Sequence, residues 1–197
     1  MKFALATANP GKIKEMGKTL AELGFELITR EELGICLDIE EPGETFYENA
    51  LIKSKTICKA SSLPAIADDS GLCVGSLNGD PGVYSSTYGG AHLDDDGRCK
   101  YLLKRMKNME LRSAIFVCNI VCVFPDGIIL GAEGKCTGVI ATEQRGSGGF
   151  GYDSVFIPEG FSRTAAEMSM EEKNQISHRG KALRAFAELL RAQILTP

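Results

Sequence analysis

Positive charge is in short supply. The 197 residues carry 22 lysines and arginines against 26 acidic residues, a formal net charge of −4. That balance argues against a protein that coats nucleic acid or an anionic membrane, and admits an anionic small molecule only where cations or a metal gather locally. Long apolar runs are missing as well. The longest, AIFVCNIVCVF at residues 114–124, is about half of what a membrane helix needs. The apolar stretch in the opening MKFALATANPGK is too short for a secretory signal, so a cytoplasmic protein is expected. No repeat, low-complexity tract or linker divides the chain, and a single domain over residues 1–197 is expected.

A disulfide framework is also absent. The seven cysteines are odd in number and sit mostly in apolar segments, which reads as reduced, buried thiols. Cys118 and Cys122 are the closest pair. Four residues along a strand is about 13 Å, too far for one zinc ion, so they read as small core hydrophobes.

What is present is the pattern of a soluble α/β protein. Hydrophobic residues make up 44% and charged residues 24%, and a chain of this length buries roughly two thirds of its unfolded surface without staples. FALAT (3–7) reads as a buried strand. Asn9 as N-cap and Pro10 at the first helical position open a helix along which Ile13, Met16, Leu20 and Leu23 recur at helical spacing, with Gly24 as its stop. FELIT (25–29) reads as a second strand. Thr45 and Glu48 match a capping box for a helix to about residue 60. LPAIADDSGLCVGSL reads as a strand or strand pair, DDDGRCKYLLKRM as a helix, and residues 113–124 and 128–140 as a hairpin around PDG. A short strand, SVFIP, follows the glycine-rich RGSGGFGYD. A last helix begins near Ser177, with Leu183, Phe186, Leu190 and Ile194 on its apolar stripe. Alternating strands and helices indicate an α/β fold, and the hairpin makes the sheet mixed.

Four places break local rules, which is where function concentrates. In LPAIADDSGLCV (63–74), Asp68 and Asp69 stand side by side in an apolar strand. Adjacent strand residues face opposite ways, so Ala65, Ala67 and Asp69 share one face and Ile66 and Asp68 the other. The small-residue face leaves room for a ligand and favours Asp69 as the exposed carboxylate; the alternative is a turn in which both aspartates cap backbone groups. In Ser177-His178-Arg179, two cations sit in the first turn of a helix, the wrong end for the dipole unless an anion or electron-rich ligand lies there; the alternative is a small, solvent-screened penalty. In TANPGK, free backbone N–H groups at a strand-to-helix turn and Lys12 form a candidate phosphate cradle, or an ordinary turn. In RGSGGFGYD, Gly146, Gly148 and Gly151 fit G-x-G-x-x-G, but a strand follows where a dinucleotide site demands a helix. The loop reads instead as a mobile one that lets backbone approach a ligand, with Phe150 and Tyr152 available to stack, or as a plain connection.

Taken in order, TANPGK, GETFYENALIKSK, PAIADDSGL, GDPGVYSSTYGG, GGFGYDSVF and EEKNQISHRGKAL resemble the Ham1 family, the inosine triphosphate or XTP/dITP pyrophosphatases, from residue 3 to about 185. The resemblance implies an elongated mixed α/β sheet flanked by helices, two lobes with a central cleft, and a homodimer. It implies Mg²⁺-dependent cleavage of inosine, deoxyinosine and xanthosine triphosphates to monophosphate and pyrophosphate. By motif, Asp69 would be the catalytic acidic residue. Glu40 would bind metal with Asp69, Glu41 being the neighbouring candidate. Thr7, Ala8, Asn9, Pro10, Gly11, Lys12 and Ser70 would hold the triphosphate, helped by Lys53. Phe150, Gly151, Tyr152, Asp153, Lys173, His178 and Arg179 would hold base and sugar. Two departures stand out: Thr87 replaces the family's arginine in Tyr-Ser-Ala-Arg-Tyr, and Ser154 replaces the proline of Gly-Tyr-Asp-Pro. A Maf-type pyrophosphatase acting on pyrimidine or modified nucleotides, and a nucleotide-binding regulator without catalysis, are the competing readings.

Overall fold

Strand β1 (Lys2–Leu5) leads through helix α1 (Pro10–Glu22) into β2 (Glu26–Thr29), followed by α2 (Phe46–Ser61), β3 (Ala65–Val74) and α3 (Asp95–Arg105). The chain then runs through β4 (Ser113–Val123), β5 (Ile129–Ile140) and β6 (Phe156–Pro158) to α4 (Met170–Ile176) and α5 (His178–Leu195). The computed structural model describes residues 2–22 and 24–195; Leu23, assigned above to the first helical stripe, and the side chain of Ile194 lie outside the described residues. The six strands form one sheet in the order β2-β1-β3-β4-β5-β6. β1 pairs in parallel with β2 and β3, and β5 pairs antiparallel with β6, so the sheet is mixed as expected.

Local chemistry accounts for the boundaries. The Asn9 side-chain oxygen accepts the N–H of Lys12 at 3.2 Å, which starts α1. Gly24, at φ +86°, takes the left-handed turn that ends it. Thr45 and Glu48 form the expected capping box of α2: the Thr45 hydroxyl accepts the Glu48 N–H, and the Glu48 carboxylate accepts the N–H groups of Glu44 and Thr45. One element was not anticipated. α4 opens on a second such box, Ser169 with Glu172, and ends at Ser177, so α5 starts at His178.

The chain divides into two compact units: residues up to Asp69 with Cys118–Gly134 and the stretch from Arg179, and Ser70–Val117 with Lys135–His178. The first unit has two cores on opposite faces of its strands. Phe3, Leu5, Ile66, Cys118, Ile120 and Cys122 pack with Met16 and Leu20 of α1 and with Leu183, Phe186 and Leu190 of α5. Ala4, Ala6, Ala65, Ala67, Val121 and Val123 pack with Ala50 and Ile57 of α2. The period-two alternation of β1, β3 and β4 thus sorts residues between two helical layers. In the second unit, Leu72, Val74, Cys99, Leu102, Met106, Phe116, Ile140, Val155 and Phe156 make one core. All seven cysteines are free. Burial pushes the thiol of Cys99 up to about 11 and that of Cys118 up to about 12, so both stay protonated and behave as core hydrophobes.

Candidate functional site

The paired aspartates of β3 go opposite ways, Asp69 with the alanine face and Asp68 with the Ile66 face, as strand geometry requires. Asp68 pairs with cations. Its Oδ2 lies 3.1 Å from the Lys12 ammonium and accepts Nε and Nη2 of Arg179, both at 3.1 Å. The other arm of that guanidinium donates to Glu15 on α1. Asp68, Arg179 and Glu15 are all buried. Burial alone would raise the Asp68 carboxyl, but Lys12 and Arg179, and more distantly Lys53, hold it well below the usual carboxylate range. Arg179 is held charged likewise: burial opposes its charge, and Asp68 and Glu15 outweigh that. The misplaced cation in the first turn of α5 is therefore compensated by protein carboxylates. The Arg179 donors face Asp68 and Glu15.

Asp69 joins a second group. Lys53 on α2 donates to Asp69 Oδ1 at 2.8 Å and to Glu41 Oε2 at 2.6 Å. Burial raises the Asp69 carboxyl; Lys53 and Lys12 oppose this, and the nearby Glu41 charge adds to it, leaving the net shift upward. Burial would lower Lys53, but Asp69, Asp68 and Glu41 together raise it. Glu41 is delivered by a clamp one turn before Lys53. The buried Asn49 side chain accepts the Gly43 N–H at 2.7 Å and donates to the Gly43 carbonyl at 3.4 Å. A Cβ on Gly43 would lie 2.6 Å from the Asn49 oxygen, so only glycine lets the loop come this close. Glu40, next along the loop, is exposed.

This donor set suits a hard divalent cation. Two carboxylate oxygens converge on one positive charge, the Lys53 ammonium, and among the described residues no third acid, histidine or cysteine completes a cage. Mg²⁺ binds in this manner, by one or two carboxylates with the remaining positions left to water and substrate phosphates.

The TANPGK turn lies in the same unit. The buried Thr7 hydroxyl accepts the Asn9 N–H at 3.1 Å; Ala8, Asn9 and Pro10 are exposed, and Gly11 and Lys12 half-buried. Ser70, half-buried, follows Asp69 on β3.

In the second unit the glycine-rich loop folds around a carboxylate. Asp153 Oδ2 accepts the Phe150 N–H at 2.9 Å and the Lys173 ammonium at 2.5 Å. Gly149 has φ +71°, and a Cβ there would stand 2.1 Å from that oxygen, so the glycine is required by approach to protein. Lys173 also lies 4.9 Å from the centre of the Phe150 ring. Tyr152 is buried, and its hydroxyl donates to the Ser85 carbonyl at 2.8 Å, whereas Phe150 is half-buried. Gly151 is fixed by its N–H to Asp95 at 2.6 Å. A pocket with room for about one water, as the side chains stand, is lined by Asp153, Lys173, Ser177, His178 and Phe116, among others.

The two departures from the motif are absorbed locally. Thr87 closes a helical turn onto the Tyr84 carbonyl, and a different cation, Arg98 of α3, reaches the adjacent Ser86 carbonyl at 3.0 Å. Ser154 donates to the Gln144 side chain at 2.9 Å. Glu15, Asn49 and Phe116 were not picked out from sequence. Glu15 falls four residues before Thr19 on an ordinary amphipathic helix, and no spacing marks it as the partner of a distant arginine.

Fold and site together define a mixed-sheet α/β protein built around buried acid–cation pairs beside a strand-to-helix turn. Residues 3–189 match the Ham1 family, and the chain belongs to that family. It is 50% identical over 190 residues to a dITP/XTP pyrophosphatase of Thermus thermophilus, covering 95% of this chain and 91% of that protein. It is 44% identical over 194 residues to a dITP/XTP pyrophosphatase of Streptomyces coelicolor, covering 96% and 97%. The structure of a HAM1 protein from Coxiella burnetii superposes with a TM-score of 0.89 at 41% identity, covering 98% of this chain and 99% of that one.

Proposed function

We propose that this protein hydrolyses non-canonical purine nucleoside triphosphates, ITP, dITP and XTP, to the monophosphate and pyrophosphate, with Mg²⁺ as cofactor. The observation that carries the reading is the Glu41–Lys53–Asp69 group beside the Lys12-bearing turn, a set of hard acids and cations matched to a metal triphosphate. Glu41 and Asp69 would hold the cation, Glu41 being favoured over Glu40 by its contact with Lys53. When bound, that ion neutralises phosphate charge and polarises the reacting phosphorus.

The remaining chemistry belongs to the chain. Asp69 takes the proton of the attacking water. The water oxygen bonds to the α-phosphorus, the bond from that phosphorus to the bridging oxygen breaks, and pyrophosphate leaves. Lys53 and Lys12 supply positive charge, and the 7–12 turn holds phosphate oxygens together with Ser70, through N–H groups other than those of Asn9 and Lys12, which are engaged within the turn, Pro10 having none. Asp68, already engaged, keeps Lys12 and Arg179 in place. In the second unit Phe150 offers its ring to a purine. Lys173 and His178 donate to the 6-oxo group of hypoxanthine and xanthine, and a 6-amino group would set donor against donor there. Guanine shares the 6-oxo group and would be rejected by a tight fit around position 2. The names of the relatives lend the Maf-type alternative no support.

A cytoplasmic homodimer is part of this reading, tested by sedimentation at twice the 21.2 kDa chain mass. Purified protein with ITP and Mg²⁺ is expected to release pyrophosphate and IMP. Orthophosphate alone, no turnover, or preference for UTP and dTTP would overturn the assignment.

A further inference from the structure

Among the side chains lining the pocket of the second unit, Phe116 has so far figured only as a member of the core. The Phe116 ring on β4 lies face to face with the His178 imidazole, centroids 4.6 Å apart and planes 8° from parallel. Phe116 is itself braced. Phe156 meets it edge-on at 4.7 Å and 68°. Phe156 is in turn pressed against Gly138, where a Cβ would come within 2.6 Å of the ring and 2.3 Å of the Ile157 carbonyl. Gly138, Phe156, Phe116 and His178 therefore form a continuous stack in which each member limits the next, and both Phe116 and His178 are more than nine-tenths buried.

We propose that Phe116 is a positioning residue for base selection, its ring fixing the plane in which His178 presents a ring nitrogen to the substrate base. This rests on the reading that His178 faces the base. A hydrogen bond is strong above about 150° and weakens steeply below about 120°, so a donor discriminates only if its direction is held. An imidazole on a single-bonded stem turns about two torsions, and its terminal torsion is broad. The face of Phe116 removes that freedom. A histidine released from it would tilt to suit either a 6-oxo or a 6-amino partner, because neutral imidazole carries one donor and one acceptor nitrogen.

The test uses the full-length protein with ITP and ATP as paired substrates. Phe116→Leu is expected to lower the ITP:ATP ratio of kcat/KM by roughly tenfold, the scale of one aromatic contact, mainly through KM for ITP. Phe116→Tyr, which keeps the face, is expected to restore the ratio. Equal losses on both substrates would mean that Phe116 only supports the core, and would overturn the proposal. His178→Ala separates the two levels of the argument. If it leaves the ratio unchanged, the base-facing role of His178 fails. If it collapses the ratio while Phe116→Leu does not, only the role of Phe116 fails. A measurement on unaltered protein guards against misfolded variants. The chain has two histidines, and the exposed His92→Asn change assigns their NMR signals. The His178 ring protons are expected upfield of the His92 ring protons through the Phe116 ring current; overlapping signals would sink the proposal without any Phe116 variant.

Discussion

The two units handle their polar groups in opposite ways. In the first, charges are buried and matched: Asp68 with Lys12 and Arg179, Arg179 with Glu15, and Lys53 with Asp69 and Glu41. In the second, one pair, Lys173 with Asp153, sits among aromatic faces, with Phe150 beneath the ammonium and Phe116 against His178. Buried charge networks are sensitive to removal of any member, because the survivors are left uncompensated. Aromatic platforms are forgiving of small changes and act through direction and area. Substitutions in the first unit should therefore alter catalysis or stability in large steps, and those in the second should alter binding of the base in smaller ones.

The sharpest separation comes from the adjacent aspartates. Asp69→Asn is expected to cut kcat on ITP by about 10³-fold or more, the range of a positioned general base. Its effect on stability is the smaller one. Because the folded-state carboxyl is raised, the charged form costs stability at neutral pH and that cost disappears as pH falls through the raised value. The neutral amide removes it but leaves Lys53 with Glu41 alone, so the urea midpoint at pH 7 should fall less than for Asp68→Asn. A fall as large as that of Asp68→Asn would contradict the upward shift.

Asp68→Asn should do the reverse, costing about 3 kcal/mol through the uncompensated Lys12 and Arg179. The folded-state Asp68 carboxyl is depressed, so its contribution is fully present above the unfolded value near 3.9 and is lost as pH falls toward the lower folded one. Denaturation midpoints followed from pH 6 to pH 3 should fall more steeply for the native protein than for the variant. Parallel curves would rule out Asp68 as the acid-sensitive group.

Glu41→Gln is expected to raise the Mg²⁺ concentration for half-maximal activity by roughly 10- to 100-fold, and Glu40→Gln by no more than about threefold. Isothermal titration with Mg²⁺ checks the same order without turnover, and the reverse order would return the ligand role to Glu40. The smallest step belongs to the second unit. Phe150→Leu should raise KM for ITP and XTP alike by roughly fivefold and leave their ratio unchanged, because stacking is indifferent to exocyclic groups. A changed ratio would make Phe150 a selector of exocyclic groups and not a plain stacking face.

Much of this was legible along the chain. Asn9, Pro10 and Gly24 bound α1, Thr45 and Glu48 start α2, and the alternation of Ala65, Ala67 and Asp69 against Ile66 and Asp68 decides which aspartate faces which helical layer. The Ser169–Glu172 box that starts α4 carried the same kind of signal and went unread beside the stronger mark at Ser177. The glycine-rich loop shows a use that no motif announces. Its freedom serves the approach of Asp153, a contact within the protein.

Sequence by itself determined the helix starts, the strand faces, the mixed sheet and the family, because caps, turns and period-two patterns act over a few neighbouring residues. Only the tertiary structure decided which charges meet. Arg179 finds Asp68 across 111 residues and Glu15 across 164, Glu41 reaches Lys53 through a loop clamped by Asn49, and Phe116 comes to lie under His178. Those choices are made when the core closes, since burying a charge or a ring selects whichever partner the packed chain brings within reach.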